Sequence, residues 1–231
     1  MNFLFDVDGT LTPPREPMDD KFRTFFVEWI ISQRKQGNRI IFVTGSDTEK
    51  TIQQVGADLW RFIDGSYQNC GNQLYVGGKL IRESDWKMSG FLRLDILDLI
   101  EKSPWYGTAK NNIEERVGMV NISTVGRDCS AWQRSEYHKW DNLHLERRDI
   151  INTLKSKHPK IDLTIGGEIS IDIYEKGKDK SQVIDRLRDR CVFVGDQCDI
   201  GGNDHTIAMK ADEYHHVKNY RETWNLIKRI N

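Results

Sequence analysis

The chain has 231 residues, which is enough for one large domain or two small ones. Hydrophobic residues make up 38% of the sequence and charged residues 30%, a balance typical of a protein that builds apolar cores and stays in water. The formal net charge of −1 gives no bulk attraction to nucleic acid or to an anionic membrane, which argues against both as partners.

Cysteine usage and the first apolar run indicate the compartment. Cys70, Cys129, Cys191 and Cys198 are scattered and lack the close pairs that mark zinc sites, so we expect reduced thiols. The first apolar run is too short for a signal peptide or a membrane span, and Asp6 interrupts it. These features predict a cytoplasmic protein without a transmembrane segment.

The opening element is a short apolar run from Asn2 to Phe5, which predicts a buried strand. The stretch Asp6-Val7-Asp8-Gly9-Thr10 follows it directly. Open α/β sheets bind ligands at the carboxyl ends of their strands, and Gly9 allows a sharp turn there. Two carboxylates so close together favour a bound cation, and their oxygens suit Mg²⁺. We therefore interpret the stretch as a catalytic site, in which one carboxylate attacks phosphorus and the other moves a proton.

An Asp-x-Asp-Gly sequence also occurs in plain turns and in calcium-binding loops. A calcium loop needs a bidentate glutamate further along a polar segment. Leu11, Pro13 and Pro14 occupy that region here, which argues against calcium.

After the opening strand, helices and strands alternate. The apolar spacing and capping residues predict a helix from Asp19 to Gly37, a strand from Arg39 to Val43, a helix from Ser46 to about Gly56, and a strand at Phe62-Ile63. This order is typical of the start of a doubly wound α/β fold. Thr44 follows the second strand, and the N–H groups of the next helix start could hold a phosphate.

The middle of the chain has a different pattern. It predicts a helix from Asp85 to Lys102, a half-buried strand from Gly118 to Val125, a long charged helix from Trp132 to Lys157 broken near Asp141-Asn142, and a hairpin of Asp162 to Ile165 with Glu168 to Tyr174. Short strands mixed with helices indicate a smaller α+β domain inserted into the first. We expect a core of residues 1–80 and 176–231 and a cap of residues 81–175, with linkers near 77–83 and 175–177.

The doubly wound pattern then resumes. A helix is predicted from Ser181 to Arg188, a buried strand from Cys191 to Val194, and a closing helix from Asn219 to Arg229. Lys180 precedes the first of these helices, and Asp196 follows the strand.

Asp6, Thr44 and Asp196 each follow the carboxyl end of a predicted buried strand, so a parallel sheet would bring them to one edge. Phosphoryl transfer to a carboxylate needs a nucleophile, an acid/base group, metal ligands, a hydroxyl on a phosphoryl oxygen, and a cation. We assign the nucleophile to Asp6, the acid/base group to Asp8, and the metal ligands to Asp6 and Asp196. Thr44 would supply the hydroxyl, and Lys180 the cation. Each residue alone is more often part of a turn, a cap or a solvated surface, but together they favour a phosphotransferase.

These residues and their surroundings resemble the eukaryotic-type phosphomannomutases of the haloacid dehalogenase (HAD) superfamily. The core motifs alone would indicate only the superfamily, and the more specific motifs lie in the inserted region. The matching segments run from Leu4 to Arg15, Gly45 to Asp47, Arg116 to Ser123, Gly126 to Arg127, Gly166 to Asp172, Lys176 to Lys180, and Gly201 to His205.

The resemblance implies a HAD core with an inserted α+β cap, and an isomerase that interconverts mannose 6-phosphate and mannose 1-phosphate to supply GDP-mannose synthesis. Asp6 would carry the phosphoryl group, and a hexose 1,6-bisphosphate would be the intermediate and the activator. The resemblance also implies Mg²⁺ held by Asp6, the carbonyl of Asp8, Asp196 and Asp204, and a homodimer formed through the caps.

Substrate contacts follow from the same resemblance. The implied substrate-binding residues are Arg15, Gly45, Ser46, Arg116, Arg127, Arg134, Ser170, Asp172 and Asn203. The arginines of the inserted domain would hold the distal phosphate, because guanidinium offers a planar donor fork that suits phosphate. Ser170 and Asp172 would bind sugar hydroxyls.

The sequence departs from the family pattern at two places. The stretch from Asn69 to Asn72 replaces the usual Glu-Asn-Gly, and Lys210 stands about where an acid helps to bind a second cation. We therefore carry over only the catalytic Mg²⁺. His205, His215 and His216 are not at metal spacing with the acids.

Two other functions remain open at this point. A sugar-phosphate phosphatase would use the same Asp6 nucleophile, with water taking the phosphoryl group. A non-catalytic sugar-phosphate-binding protein would need none of the catalytic residues, so their presence argues against it. The arginines of the inserted domain favour the mutase over the phosphatase, while the choice between mannose and glucose stays open.

Overall fold

The computed structural model describes residues 1 to 230, which divide into two compact units. Unit 1 comprises Met1–Ser84, Asp179–Ile200 and the chain from Asp204 onward, and unit 2 comprises Asp85–Lys178 with Gly201–Asn203. Unit 2 therefore interrupts unit 1 in the sequence. Among the described residues, the cysteines form no disulfide, and no helix is both long enough and apolar enough to cross a bilayer.

Short strands and helices alternate along the described residues. The strands are β1 (Asn2–Phe5), β2 (Arg39–Val43), β3 (Gly65–Gln68), β4 (Gln73–Val76), β5 (Lys79–Glu83), β6 (Ile113–Arg116), β7 (Met119–Ile122), β8 (Ile161–Gly166), β9 (Ser170–Glu175), β10 (Cys191–Gly195) and β11 (Glu213–His216). The helices are α1 (Asp20–Lys35), α2 (Thr48–Val55), α3 (Ala57–Phe62), α4 (Gly90–Glu101), α5 (Ala131–His144), α6 (Glu146–Lys157), α7 (His205–Lys210) and α8 (Tyr220–Ile227). Further 3-10 helices lie at Asn69–Gly71 and Lys180–Arg186.

Over the described residues, unit 1 is built on a seven-stranded sheet in the order β11-β10-β1-β2-β3-β4-β5. The strands from β11 to β3 run parallel, and β4 and β5 add an antiparallel edge. β1, β2 and β10 are nearly continuous apolar runs, which is typical of strands buried on both faces of a parallel sheet. The predicted doubly wound α/β core is confirmed.

Apolar side chains on both faces of this sheet hold β1 in place. On one face, Phe5 packs edge-on against Phe26 of α1, with the ring centroids 5.3 Å apart. On the other face, Leu4 packs in a second cluster that includes Phe193. Successive residues of a strand point to opposite faces, so both clusters fix the end of β1. Asp6, the next residue, therefore leaves the strand from a rigid position.

Unit 2 contains a four-stranded antiparallel sheet in the order β6-β7-β9-β8 over the described residues. One face carries Val120 and Ile173, which pack in a cluster with Leu154 of α6. The alternation places Asn121 and Asp172 on the other face, directly opposite each other in the β7–β9 pairing. The predicted inserted α+β region is confirmed, and so is the hairpin, although it turns at residues 167–169 and its second strand begins at Ser170 and not at Glu168.

The third strand predicted at Phe62-Ile63 is wrong. Phe62 is the last residue of α3, a short helix that buries Leu59 and Trp60. The apolar residues at this point therefore belong to the end of a helix and not to a strand. The actual strand β3 lies at Gly65–Gln68. Its sequence Gly-Ser-Tyr-Gln has little apolar character, so the hydrophobic pattern did not reveal it.

Two helices begin later than predicted, because different side chains cap them. Asp47, and not Ser46, caps α2 by accepting a hydrogen bond of 2.8 Å from the Lys50 N–H. Ser89, and not Asp85, is the N-cap of α4, where its hydroxyl accepts from the helix backbone.

Three further differences concern boundaries. The expected linker from Gly77 to Glu83 forms a turn and β5, which pairs with β4. The helix predicted from Ser181 to Arg188 is the 3-10 helix Lys180–Arg186. The long charged helix breaks at Leu145, which has a left-handed φ of 58°, and not at Asp141-Asn142. β4, β6, β11 and α7 were not predicted.

Candidate active site

Three carboxylates gather at the carboxyl ends of two adjacent parallel strands. Asp6 follows β1 and Asp196 follows β10, while Asp204 precedes α7. Each offers one oxygen atom, and these three atoms lie within 4.8 Å of one another. Asp6 and Asp204 are buried, and Asp196 is partly buried. Such a cluster is costly unless positive charge balances it.

Lys180 supplies part of that positive charge. Its Nζ donates to Asp6 Oδ1 at 2.7 Å and to Asp204 Oδ1 at 2.5 Å. Only 1% of the Lys180 side chain is exposed, so these contacts are made without competing water. The ammonium group therefore bridges the predicted nucleophile and a second carboxylate.

Two glycines make room for the carboxylates. A Cβ atom at Gly9 would lie 2.6 Å from Asp196 Oδ2, and Gly9 also has a left-handed φ of 94°. A Cβ atom at Gly195 would lie 2.6 Å from Asp204 Oδ2. Both positions therefore require glycine for the acids to approach one another.

Negative charge exceeds positive charge in this cluster. Burial raises the pKa of Asp6 well above its usual range, and Asp204 and Asp196 raise it further, against the lowering effect of Lys180. Burial and then Asp204 raise the pKa of Asp196 to about 6. For Lys180, burial lowers the pKa, but Asp204 and Asp6 raise it more, so the ammonium form is stable. Clustered carboxylate oxygens with uncompensated charge fit Mg²⁺, which prefers such ligands.

Mg²⁺ is expected to stabilise the protein more at about pH 7.5 than at about pH 5. The pKa of Asp196 is raised to about 6 in the folded protein, so the folded form holds this proton more tightly than the unfolded chain does. Stability that this carboxyl contributes at low pH is therefore lost as pH rises from about 4 to about 6. A bound dication removes the repulsion between the ionised carboxylates.

Thermal unfolding with Mg²⁺ or with EDTA at both pH values measures this difference. The Asp196→Asn variant should lose most of the Mg²⁺ effect, while Asp185→Asn, a change on the exposed side chain that pairs with Lys210, should keep it. An equal Mg²⁺-induced shift in melting temperature at both pH values would contradict the assignment.

Asp8 is held by three donors from outside the carboxylate cluster. Lys50 Nζ donates to Asp8 Oδ2 at 2.5 Å, and Gln54 Nε2 donates to Asp8 Oδ1 at 2.8 Å. The backbone N–H of Arg15 donates to the same Oδ1 at 2.6 Å. Burial raises the pKa of Asp8, but Lys50, Arg15 and Gln54 together lower it more, so the net pKa lies below its usual value. Asp8 is therefore an ionised carboxylate that can accept a proton.

The segment after β2 places Thr44 and its neighbours at the same edge of the sheet. Thr44 is 1% exposed, and its Oγ1 accepts from the Ser46 N–H at 3.1 Å. The Thr44 hydroxyl proton is left for another acceptor. Gly45 is partly buried and Ser46 is buried at the turn before α2. The Ser46 N–H donates to Thr44 Oγ1 within this turn. It is therefore not one of the backbone N–H groups at the helix start that we expected to hold a phosphate.

Arg116 and Arg127 of unit 2 share one carboxylate. Arg116 Nε pairs with Glu114 Oε1 and Arg127 Nε with Glu114 Oε2, each at 2.9 Å. Arg127 Nη1 also donates to Ser170 Oγ at 2.9 Å. Glu114 therefore fixes two guanidinium groups side by side. Arg134, on α5, lies with its Nε 3.9 Å from Glu168 Oε2.

The remaining predicted contacts lie on β9, in the segment before Asp204, and in the segment between β1 and α1. Asp172 Oδ1 accepts from Asn121 Nδ2 at 2.6 Å, which holds the Asp172 carboxylate across the two strands. Asn203 is partly buried in the Gly201–Asn203 segment of unit 2. Arg15 is exposed, with a left-handed φ of 63°.

Sequence reasoning missed the residues that hold the predicted ones. Lys50 and Gln54 hold Asp8, Glu114 pairs with two arginines, and Asn121 holds Asp172. The spacing of Lys50 and Gln54 on one side of α2 was the only available signal, and it is equally typical of a solvated helix face.

Lys210 stands about where an acid would help to bind a second cation. Its Nζ pairs with Asp185 Oδ2 at 2.6 Å.

Known proteins resemble this chain over most of its length. The family described as eukaryotic phosphomannomutase matches residues 27–230. The phosphomannomutase of Nicotiana benthamiana is 33% identical over 220 residues, which cover 88% of this chain and 83% of that relative. The phosphomannomutase of Saccharomyces cerevisiae is 33% identical over 222 residues, covering 89% and 84% respectively.

Solved structures share the fold at low sequence identity. The C-terminal domain of trehalose-6-phosphate phosphatase from C. albicans superimposes with a TM-score of 0.66 at 16% identity, covering 98% of this chain and 90% of that chain. A HAD subclass IIB sugar phosphatase gives a TM-score of 0.62 at 15% identity, covering 99% and 98%. At these identities the likeness shows a shared fold and nothing finer.

Proposed function

Because the chain belongs to the eukaryotic phosphomannomutase family, we propose that it interconverts mannose 6-phosphate and mannose 1-phosphate. The observation that carries the proposal is the buried contact between Asp6 and Lys180, made beside the tethered and ionised Asp8. This arrangement provides a phosphoryl acceptor and a separate proton acceptor, which phosphoryl exchange through a carboxylate requires.

The reaction proceeds in two transfers. In the first, a hydroxyl of the hexose monophosphate attacks phospho-Asp6, the bond from phosphorus to Asp6 breaks, and Asp8 accepts the hydroxyl proton. The product is a hexose 1,6-bisphosphate. In the second, Asp6 attacks the other phosphate, the bond from phosphorus to the sugar oxygen breaks, and Asp8 returns its proton to that oxygen. The lowered pKa of Asp8 suits this order, because an ionised carboxylate begins as a base.

Residues around Asp6 stabilise the negative charge of the transferred phosphoryl group. Lys180 brings an ammonium group to the Asp6 carboxylate, and the Thr44 hydroxyl donates to a phosphoryl oxygen. Asp6, Asp196 and Asp204 would hold Mg²⁺ together with the carbonyl of Asp8, and the ion would supply positive charge that offsets the negative charge of the phosphoryl group.

Unit 2 supplies groups for the phosphate that is not being transferred. Arg116, Arg127 and Arg134 present guanidinium donors, and the Glu114 contacts orient the first two before substrate arrives. Ser170 and Asp172 bind sugar hydroxyls. Arg15, Gly45, Ser46 and Asn203 are proposed as further substrate contacts.

A sugar-phosphate phosphatase is the second candidate. The observation that favours it is the exposure of Asp8, whose side chain is 28% accessible, so water can reach the proton acceptor. Water attack on phospho-Asp6 would then release inorganic phosphate. The arginines of unit 2 argue for the mutase, because hydrolysis does not require binding of a second phosphate group.

Dependence on hexose 1,6-bisphosphate tests the proposal. With mannose 1-phosphate and Mg²⁺, formation of the 6-phosphate should be slow without the bisphosphate and should rise to saturation as the bisphosphate is added. The bisphosphate both forms phospho-Asp6 and replaces any intermediate that escapes. A rate that is unaffected by the bisphosphate would contradict the mutase cycle.

A homodimer through unit 2 is also proposed. Phe91, Leu94 and Leu97 of α4 are 80%, 66% and 46% exposed, and their spacing of three residues puts them on one side of the helix. Light scattering should therefore give twice the monomer mass for the wild-type chain and the monomer mass for Phe91→Asp. Leu143→Asp, at another exposed apolar position of unit 2, is the matched control and should remain dimeric. A wild-type monomer would contradict this proposal.

A further inference from the structure

We propose that Lys50 and Gln54 are positioning residues that aim the Asp8 carboxylate at the oxygen to which it gives a proton, an inference that rests on the proposed function. The Asp8–α2 clamp, defined as these two side chains with the Arg15 N–H, is separate from the Lys180 contacts that serve Asp6. Lys180 therefore contacts the nucleophile Asp6, and Lys50 contacts the acid/base group Asp8.

The clamp occupies both oxygens of Asp8. Lys50 approaches Oδ2 at 2.5 Å, while Gln54 and the Arg15 N–H approach Oδ1 at 2.8 and 2.6 Å. Three donors on one carboxylate fix its rotation as well as its position, because each hydrogen bond has a preferred direction. A single contact would leave the group free to turn about its last bond.

The helix that carries the clamp is itself held against the loop after Asp8. Lys50 and Gln54 are four residues apart on α2, so they lie on the same side of it. Gln54 Nε2 also donates to Thr12 Oγ1 at 3.0 Å, and the Gln54 carbonyl accepts from the Met18 N–H at 2.8 Å. Gln54 is 4% exposed. These contacts make α2 a fixed support and not a mobile neighbour.

Accurate placement matters most when the leaving oxygen is a poor leaving group. A sugar alkoxide must be protonated as its bond to phosphorus breaks, so the rate depends on where the Asp8 proton is held. A p-nitrophenolate ion leaves without a proton. Loss of the clamp should therefore slow transfer from a sugar phosphate much more than transfer from p-nitrophenyl phosphate.

The test compares single-turnover transfer to Asp6 from two donors. For Lys50→Met and for Gln54→Leu, transfer from hexose 1,6-bisphosphate at saturation should fall by about tenfold or more, with half-saturation changed by less than about twofold. The burst of p-nitrophenolate from p-nitrophenyl phosphate should stay within about threefold of wild type. Lys50→Arg, which keeps the charge and a donor, should recover part of the loss.

Gln53→Leu is the matched control, because Gln53 is exposed on the same helix and does not contact Asp8. Equal losses with both donors would overturn the positioning role, and so would unchanged transfer from the bisphosphate. Either result leaves the proposed function intact, since that function fails only if the wild-type chain does not isomerise hexose phosphates. If the wild-type protein proves to be a phosphatase, the same comparison of the variants on the two classes of donor still tests the positioning role.

Discussion

Replacing Asp6 by Asn is expected to lower hexose-phosphate isomerisation by on the order of 10⁴-fold or more, because it replaces the nucleophilic carboxylate by an uncharged amide that is a poor phosphoryl acceptor. The change is isosteric, and Asp6 is 4% exposed at the end of a strand fixed by apolar contacts on both faces. Lys180 keeps its contact with Asp204, so the buried ammonium retains a carboxylate partner. The fold should therefore persist.

Covalent labelling separates this loss of chemistry from a loss of structure. With phosphorus-labelled hexose 1,6-bisphosphate, the wild-type protein should acquire a label that hydroxylamine removes, as an acyl phosphate requires, and Asp6→Asn should acquire none. Asp58→Asn, at an exposed aspartate of unit 1, is the matched control and should label normally. An Asp6→Asn variant whose activity stays within about tenfold of wild type would refute the covalent mechanism.

Arg127→Ala is expected to lower the efficiency of isomerisation by about 30- to 100-fold while leaving hydrolysis of acetyl phosphate nearly intact. A charge-assisted hydrogen bond from arginine to phosphate is worth about 2–3 kcal/mol. Arg127 also anchors Ser170, so its removal affects the proposed sugar contact as well. Acetyl phosphate has no second phosphate to hold, so its reaction depends only on the groups around Asp6.

Arg93→Ala is the control for this variant, because Arg93 is a half-exposed arginine of unit 2 that pairs with Glu115, the neighbour of Glu114. It should change neither reaction. If Arg127→Ala lowers both reactions equally, Arg127 has a structural role. If it lowers neither, unit 2 does not hold the distal phosphate.

Apolar patterning made the central strands of the sheet predictable. β1, β2 and β10 contain apolar runs of three to five residues with polar residues nearby on either side. The residues that follow such strands must lie at one edge of a parallel sheet, which is why the apolar pattern alone groups Asp6, Thr44 and Asp196. β3 escaped detection because a Gly-Ser-Tyr-Gln strand depends on its neighbours for burial.

Tertiary contacts decide the features that the sequence does not reveal. Asn69 and Cys70 have left-handed φ values of 51° and 57°, a conformation that is uncommon outside glycine, although asparagine adopts it more readily than cysteine does. The turn is held because the Cys70 N–H donates to the Thr44 carbonyl at 2.9 Å and the Cys70 carbonyl accepts from Gln182 at 2.8 Å. Long-range contacts of this kind leave no periodic signal in a sequence.

The same limit explains the clamp on Asp8. Lys50 and Gln54 belong to a polar helix face on which Glu49 and Gln53 look equally suitable from the sequence. Only the approach of the loop after β1 distinguishes the pair that contacts Asp8. A lysine on a helix is usually solvated, so nothing in the sequence singles it out.

The most direct test of the central proposal is a ³¹P NMR time course of mannose 1-phosphate with the wild-type protein, Mg²⁺ and a trace of hexose 1,6-bisphosphate. If phospho-Asp6 passes its phosphoryl group to a sugar hydroxyl, the 1-phosphate signal should decline as the 6-phosphate signal grows, until the two reach equilibrium with little inorganic phosphate. Growth of the inorganic phosphate signal in place of the 6-phosphate signal would contradict the mutase and establish hydrolysis as the reaction.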